Sequence, residues 1–370
     1  MGRLGLILLG ISASMLCSEI LVRRLAPQEL SGSWRVETPS GLVMNRSHGS
    51  ARHVAGDRDV HYRFAMPGLR GEPLGGAQHR VLVLGDSFAV GWLLTEQDST
   101  VGKLQQQANT RYGIDHLRFA NASCGGWGLD EMVAYVEAFG ERVEPSLVLV
   151  FLNTDDIGRC LRHPRYEWDP DAPSLRRLEG RPSLGRRVAR GLPGYQFLLE
   201  HSHLIQLARR VAVWGIDWPP LAEEPDRKGL ESPSAGWHLG PKSNPVADPQ
   251  AVVRLAQALY LRLSHWGQQR GAPLVVLTTG WHTPTLGAPS GEPTEAFMET
   301  AAAFFERNGI HYHDLSPLIR PQIDETPPAF HLVENVHPNE KGAALIAHHA
   351  WQALLPHLDT LSQRDRPPSF

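Results

Sequence analysis

A serine, a histidine and a carboxylate in this chain stand where they could together break an acyl bond. Ser87 follows the apolar run Val81-Leu82-Val83-Leu84 and the turn Gly85-Asp86. A serine hydroxyl is a weak nucleophile until a base takes its proton. The base candidate is His337, in Glu334-Asn335-Val336-His337-Pro338-Asn339. Pro338 stiffens the exit from it, and Glu334, three residues earlier, can reach the ring nitrogen turned away from the serine. Nucleophile, base and orienting acid form a triad logic that does not depend on fold. Read alone, Gly-Asp-Ser is only a turn with a helix-capping serine, and His337 is one of 18 histidines.

The elements that must hold these residues are readable from periodicity. Val81–Leu84 predicts a short buried strand, with Ser87 at its carboxyl end, where an open α/β sheet places its ligand crevice. Thr100–Tyr112 predicts a helix with Val101, Leu104 and Ala108 on one face. His116–Ala120 predicts a second strand, followed by the glycine-rich turn Ser123–Gly128 and a helix over Leu129–Phe139. Ser146–Leu152 is continuously apolar after its first residue, as a strand buried on both faces requires. It ends in Asn153-Thr154-Asp155-Asp156. The rhythm resumes with a helix over Ala251–Gln268, a strand over Pro273–Thr278, a helix over Pro293–Asn308 and a strand over Ile310–Leu315. A loop over Pro321–Val333 and a final helix over Asn339–Leu355 complete it, with Leu345, Ala347, Trp351 and Leu354 facing the core. Strands alternating with helices predict a parallel sheet covered on both faces.

Composition narrows the class. The chain has 370 residues, 42% hydrophobic and 20% charged, with a formal net charge of −3. That is long enough for a sizeable core, and the near-neutral balance argues against nucleic acid as a partner. The three cysteines, Cys17, Cys124 and Cys160, form no C-x-x-C pair, so neither a zinc site nor a disulfide framework is predicted. Arg3 precedes an apolar run, Leu4–Val22, interrupted by Glu19 and closed by Arg23-Arg24. The run is about long enough to cross a hydrocarbon core. It reads as an uncleaved signal anchor rather than a cleaved signal, because no small-residue cleavage site ends it. The bulk of the chain is then expected outside the cytoplasm. Residues 26–79 read as a lead-in wrapping the core, with short strands at most. Residues 160–250 read as a long insertion. It contains an arginine-rich part (Arg176, Arg177, Arg181, Arg186, Arg187, Arg190), a helix near Tyr195–Trp214 and an irregular stretch over Trp218–Pro249.

Taken together, the motifs resemble the SGNH (GDSL-type) hydrolases. Gly85-Asp86-Ser87 corresponds to the first block of that family, Asn121-Ala122-Ser123-Cys124-Gly125-Gly126 to the second and His337-Pro338-Asn339 to the last. The resemblance implies a flavodoxin-like three-layer α/β/α sandwich with a five-stranded parallel sheet, spanning residues 80–358 between the anchor (1–25), the lead-in (26–79) and a tail (359–370). It implies that Ser87 attacks an acyl carbonyl, that His337 carries the proton and that Glu334 orients His337. The oxyanion donors would be the backbone N–H groups of Ser87 and Gly126 and a third-block side chain. This sequence departs from the family twice. Glu334 stands where aspartate is usual, and Asp155 falls at the asparagine position, so that either Asn153 serves after a two-residue shift, Asp155 serves protonated, or part of the hydrolytic power is lost. Ionised Asp155 could not donate to an oxyanion. Trp281-His282, Trp92 and Trp127 are further candidates to line a cleft, or else core and loop residues.

The resemblance implies no metal and no cofactor. Its anchor and the Gly68-Leu69-Arg70 lead-in are similar to membrane-tethered members associated with bacterial cell-envelope polysaccharides. The expected reading is a periplasmic, membrane-anchored serine esterase. Its substrate would be an O-acyl ester, O-acetyl included, on a glycan, or a small ester. Two alternatives stay open: O-acyl transfer onto polysaccharide, and a non-catalytic polysaccharide-binding protein that keeps the fold.

Overall fold

The computed structural model describes residues 2–32, 34–153, 155–161, 164–169, 174–178, 192–214, 249–281, 292–332 and 337–364. Helix α1 (Arg3–Leu25) is followed by six strands of the lead-in: β1 (Leu30–Ser31), β2 (Arg35–Glu37), β3 (Val43–Asn45), β4 (Gly49–Ala55), β5 (Arg58–Ala65) and β6 (Leu69–Arg70). The alternating part comprises β7 (His79–Leu84), α2 (Ser87–Val90), α3 (Thr100–Tyr112), β8 (Leu117–Asn121), α4 (Leu129–Val143), β9 (Leu147–Leu152) and α5 (Asp155–Arg159). The insertion contributes β10 (Tyr166–Asp169), β11 (Ser174–Arg177), α6 (Tyr195–His201) and α7 (His203–Trp214). Then come α8 (Pro249–Gln268), β12 (Leu274–Thr278), α9 (Glu292–Arg307), β13 (His311–Asp314), α10 (Ser316–Glu325), α11 (Pro327–Phe330) and α12 (Glu340–Arg364).

The expected five parallel strands are present in the flavodoxin-like order β8-β7-β9-β12-β13. Alternate residues of each strand feed opposite layers, as a period of two requires. Leu82, Leu84, Val148 and Val150 join the core under α4, α8 and α9. Val81, Val83, Leu147 and Leu149 join the core under α3, α10 and α12. This two-sided burial is why β9 reads as a continuous apolar run.

The lead-in exceeds the expectation of short strands at most. β4 and β5 are seven and eight residues long. With β1 and β6 they add to the β8 edge by antiparallel pairing, making a single nine-stranded sheet, β1-β4-β5-β6-β8-β7-β9-β12-β13. In β5 the buried residues Val60, Tyr62 and Phe64 alternate with polar ones, among them His61 and Arg63. The period is regular, but it is written in arginine and histidine and so is hard to see from composition.

Three element boundaries also differ. The expected loop over Pro321–Val333 contains the end of α10 and all of α11. Ile319 and Ile323, one turn apart, bury against the core and hold the helix despite Pro321. The last helix passes Pro356 and continues to Arg364. Losing one N–H costs less than exposing Leu358 and Leu361, which are buried. The helix expected near Tyr195–Trp214 is two helices, broken at Ser202, whose Oγ accepts from Ile205 N and caps α7. Cys124 and Cys160 are buried free thiols. The irregular stretch expected after Trp218, apart from Pro249, lies outside the described residues, as do Arg181, Arg186, Arg187 and Arg190.

Candidate active site

Ser87 opens α2 directly after β7. Asp86 caps this short helix, its Oδ1 accepting from Phe88 N at 2.9 Å. Gly91, in the left-handed region at φ 78°, closes it. Gly85 has no room for a side chain, since a Cβ there would stand 2.6 Å from the Ala89 Cβ. The Gly-Asp-Ser spelling is therefore what lets β7 turn sharply into α2.

His337 Nε2 lies 2.8 Å from Ser87 Oγ, across 250 residues of chain. Phe88, at 4.9 Å between centroids, and Trp92, stacked at 5.7 Å, pack on the imidazole. Burial pushes His337 down to about 4, with Asp86 opposing the fall. The ring is therefore neutral near pH 7, as a proton acceptor must be. Asn339 fixes the loop that carries it. Its Nδ2 donates to the carbonyls of Ala329 and His331, and its Oδ1 accepts from Lys341 N and Gly342 N at the start of α12. Leu332 N donates to the His337 carbonyl at 2.9 Å.

The glycine-rich turn after β8 comes alongside. Cys124 N donates to the Gly85 carbonyl, and a Cβ on Gly125 would stand 3.8 Å from the Ser87 Cβ. Gly126 is in the left-handed region at φ 83°, which favours glycine. The third block resolves into two unlike residues. Asn153 Nδ2 donates to Asp86 Oδ2 at 3.2 Å, beside the Ser87 turn. The Asp155 side chain is 54% exposed and turned toward Arg159 at 3.6 Å. Arg159 is itself nearly buried and bridges Asp86 Oδ2 at 2.7 Å and Asp156 Oδ1 at 2.8 Å. Burial alone would lower its pKa; Asp86 and Asp156 hold it raised, so it stays a cation.

Ser87 and His337 thus meet, Gly126 lies in the adjoining turn, and Asn153 reaches Asp86 while Asp155 faces away. Glu334 lies outside the described residues, as does His282. Trp281 is buried and packs on His331. Trp127 is a core residue whose Nε1 donates to the Val43 carbonyl.

Several further residues hold the site in place, most of them without a readable signal in the sequence. Buried Arg70 donates to the carbonyls of Val90, Gly91 and Leu94, gripping the segment just after Ser87. Asn45 Nδ2 donates to the Ser123 carbonyl at 2.9 Å, and Arg35 Nη1 to the Gly125 carbonyl at 2.9 Å. With the Trp127 bond, the β2–β3 hairpin holds the glycine-rich turn at three places. Behind Trp92 stands His53, 4.5 Å away edge-on, with its ring bonded to Tyr62 and Glu29. All these anchors except Trp92 and Trp127 come from the lead-in. Only Gly68-Leu69-Arg70 there is legible as a motif.

With this geometry in place, comparison with known proteins is informative. The model of the GDSL-like lipase/acylhydrolase family matches residues 83–345. The chain belongs to this family. It is accordingly a hydrolase acting on ester bonds. Similar solved structures include the psychrotrophic esterase EstA from Pseudoalteromonas sp., at 14% identity over 76% of this chain and 100% of that one, TM-score 0.42. The acetyl xylan esterase AlAXEase shows 12% identity over 74% of this chain and 99% of its own, TM-score 0.42. A catalytic mutant of an acetylxylan esterase from Geobacillus stearothermophilus shows 12% identity over 76% and 96%, TM-score 0.42. No curated protein matches the chain significantly.

Proposed function

We propose that this family member is a membrane-anchored serine esterase that removes an O-acyl group, such as acetyl, from a cell-envelope or exported glycan. The observation that carries the chemistry is the 2.8 Å contact between Ser87 Oγ and neutral His337 Nε2. Ser87 Oγ bonds to the acyl carbon as its proton passes to His337. The imidazolium returns that proton to the leaving alcohol as the C–O bond breaks. Water then attacks the acyl-enzyme, giving its proton to His337, and the carboxylic acid departs as Ser87 regains its hydrogen. Gly126 N–H, Ser87 N–H and Asn153 Nδ2 are the proposed oxyanion donors, each worth about 2.7–4 kcal/mol of barrier. The position of Asn153 beside Asp86, and the outward turn of Asp155, support Asn153 over Asp155 in that role. Glu334 is proposed to orient His337 and stabilise the imidazolium. The glycan preference rests on the similarity of the anchor and lead-in to envelope-tethered members. The catalytic unit, proposed as residues 80–358, would face the periplasm, held by α1.

Transfer of the acyl group to a sugar hydroxyl is the second reading. The Phe88 and Trp92 rings against His337 favour it, because they limit water at the acyl-enzyme. A fluorophosphonate probe tests the shared first step. Labelling of the wild type that disappears in Ser87→Ala and falls in His337→Ala is expected. Folded wild-type protein that takes no label would return the chain to a binding role. Hydrolysis of 4-nitrophenyl acetate without glycan then separates esterase from transferase.

A further inference from the structure

Glu19 looks like a defect in an otherwise apolar helix, yet the fold uses it. Its carboxylate accepts from His203 N at 3.0 Å, from Leu204 N at 2.9 Å and from Ser202 Oγ at 2.8 Å. It thereby caps the first turn of α7 from a different element. Arg23 Nη2, one turn later in α1, donates to the His201 carbonyl at 2.9 Å, and Gln28 N donates to His203 Nδ1 at 2.8 Å. Residues 26–29 alone separate α1 from β1. On its other side the pair packs on the outer strands of the sheet: Arg52 Nη1 donates to the Glu200 carbonyl of α6, and Gln206 Nε2 of α7 donates to the Ser31 carbonyl. The helix pair α6–α7 is thus wedged between the apolar helix and the edge of the nine-stranded sheet. A tether would leave the hydrolase free to turn; this arrangement fixes its attitude.

The α6 end of that wedge exposes apolar side chains: Leu192 is 57% exposed, Phe197 63% and Leu198 41%. Phe197 stacks on His201 at 4.3 Å, and His201 is the residue whose carbonyl Arg23 holds. The patch therefore adjoins the last turns of α1, where exposed Arg24 adds positive charge. A short helix with exposed apolar and aromatic residues beside basic ones suits the headgroup boundary of a bilayer.

We propose that α6, through Phe197 and Leu198, together with Leu192 just before it, rests in the lipid interface beside α1, so that the hydrolase is seated on the membrane in one orientation. This rests on the reading of α1 as a membrane helix. The test uses the full chain with Cys17→Ser, which leaves only the two buried cysteines, reconstituted in phosphatidylethanolamine–phosphatidylglycerol vesicles. A nitroxide is placed at one of three positions by Phe197→Cys, Leu9→Cys or Ile114→Cys; Ile114 is 75% exposed and distant in sequence from the anchor. Fluorophosphonate labelling of Ser87 confirms that each variant is folded. The spin label at 197 is expected to collide preferentially with oxygen, as at 9, and to be shielded from a water-soluble nickel complex that reaches 114. Lipid exposure at 9 with nickel access at 197 equal to that at 114 would overturn the seating and leave the anchor standing. Nickel access at 9 would remove the anchor itself, and the seating with it.

Discussion

The two halves of the nine-stranded sheet differ in how they are built and in what they supply. The parallel half, β8-β7-β9-β12-β13, delivers Ser87, the glycine-rich turn and Asn153 at strand ends, and His337 follows between α11 and α12. The antiparallel half, β1-β4-β5-β6, with the β2–β3 hairpin, supplies none of the proposed reacting groups. Instead it grips the backbone of the reacting loops at carbonyl oxygens, through Arg70, Asn45 and Arg35. Chemistry needs particular side chains at particular places, so it leaves motifs. Grip needs only a donor within reach of a carbonyl, and many sequences provide one.

Breaking the parallel half should be the more drastic. Ser87→Ala and His337→Ala are each expected to lower kcat by about 10⁴–10⁶, the range for groups that act as a unit. Their thermal unfolding should stay near wild type. Loss of less than tenfold, measured with 4-nitrophenyl acetate, would remove Ser87 from the role. Asn153→Ala should cost about 10²–10³ in kcat if its amide serves the oxyanion. If that deficit follows Asp155→Ala instead, the assignment of the third block reverses.

Breaking the antiparallel half should cost less and show itself differently. Asn45→Ala leaves two buried carbonyls, those of Gly68 and Ser123, without this donor. A stability loss of about 1–3 kcal/mol is expected by denaturant unfolding. If the hairpin positions the glycine-rich turn, kcat should fall with little change in KM. A variant that loses stability alone would reduce the lead-in to scaffolding.

The mildest effect is on pH. A histidine held at about 4 rather than its ordinary 6.5 remains a competent base well into acid. The acid limb of kcat/KM should accordingly lie below pH 6.5, toward 4, with activity lost as pH falls through the folded-state value. The unfolded chain binds this proton first, so the same residue withdraws stability as pH drops from 6.5 toward 4. His337→Gln should remove that part of the acid sensitivity, as followed by unfolding at a series of pH values. An acid limb at or above 6.5 would mean that the burial of His337 is relieved in the working enzyme.

Much of the parallel half is legible in the order of residue types alone. β7, β9 and β12 are buried on both faces, so their runs of valine and leucine are unbroken. The helix Thr100–Tyr112 has both ends marked, by Ser99, whose Oγ accepts from Gly102 N, and by Gly113. Legibility fails where tertiary burial overrides a local breaker, as at Pro321 and Pro356, and where a strand's polar face dominates its spelling, as in β5. The ambiguity between Asn153 and Asp155 is of the same kind. A shift of two residues is invisible in sequence, whereas it separates a side chain beside Asp86 from one turned into solvent toward Arg159.

By itself the sequence indicated Ser87 and His337 as a pair, which the fold brings into contact, the order of the five parallel strands and an apolar N-terminal helix. These follow from short-range rules: a strand buried on both faces must be apolar, a tight turn needs glycine, and a nucleophile needs a base. The tertiary structure decided which remote residues hold the turn and the loops in register. It also made Glu19 a helix cap rather than a misplaced charge. Such contacts join positions from 20 to 185 residues apart. Only the folded chain sets which donor meets which carbonyl, because hydrogen bonding constrains geometry far more tightly than it constrains residue type.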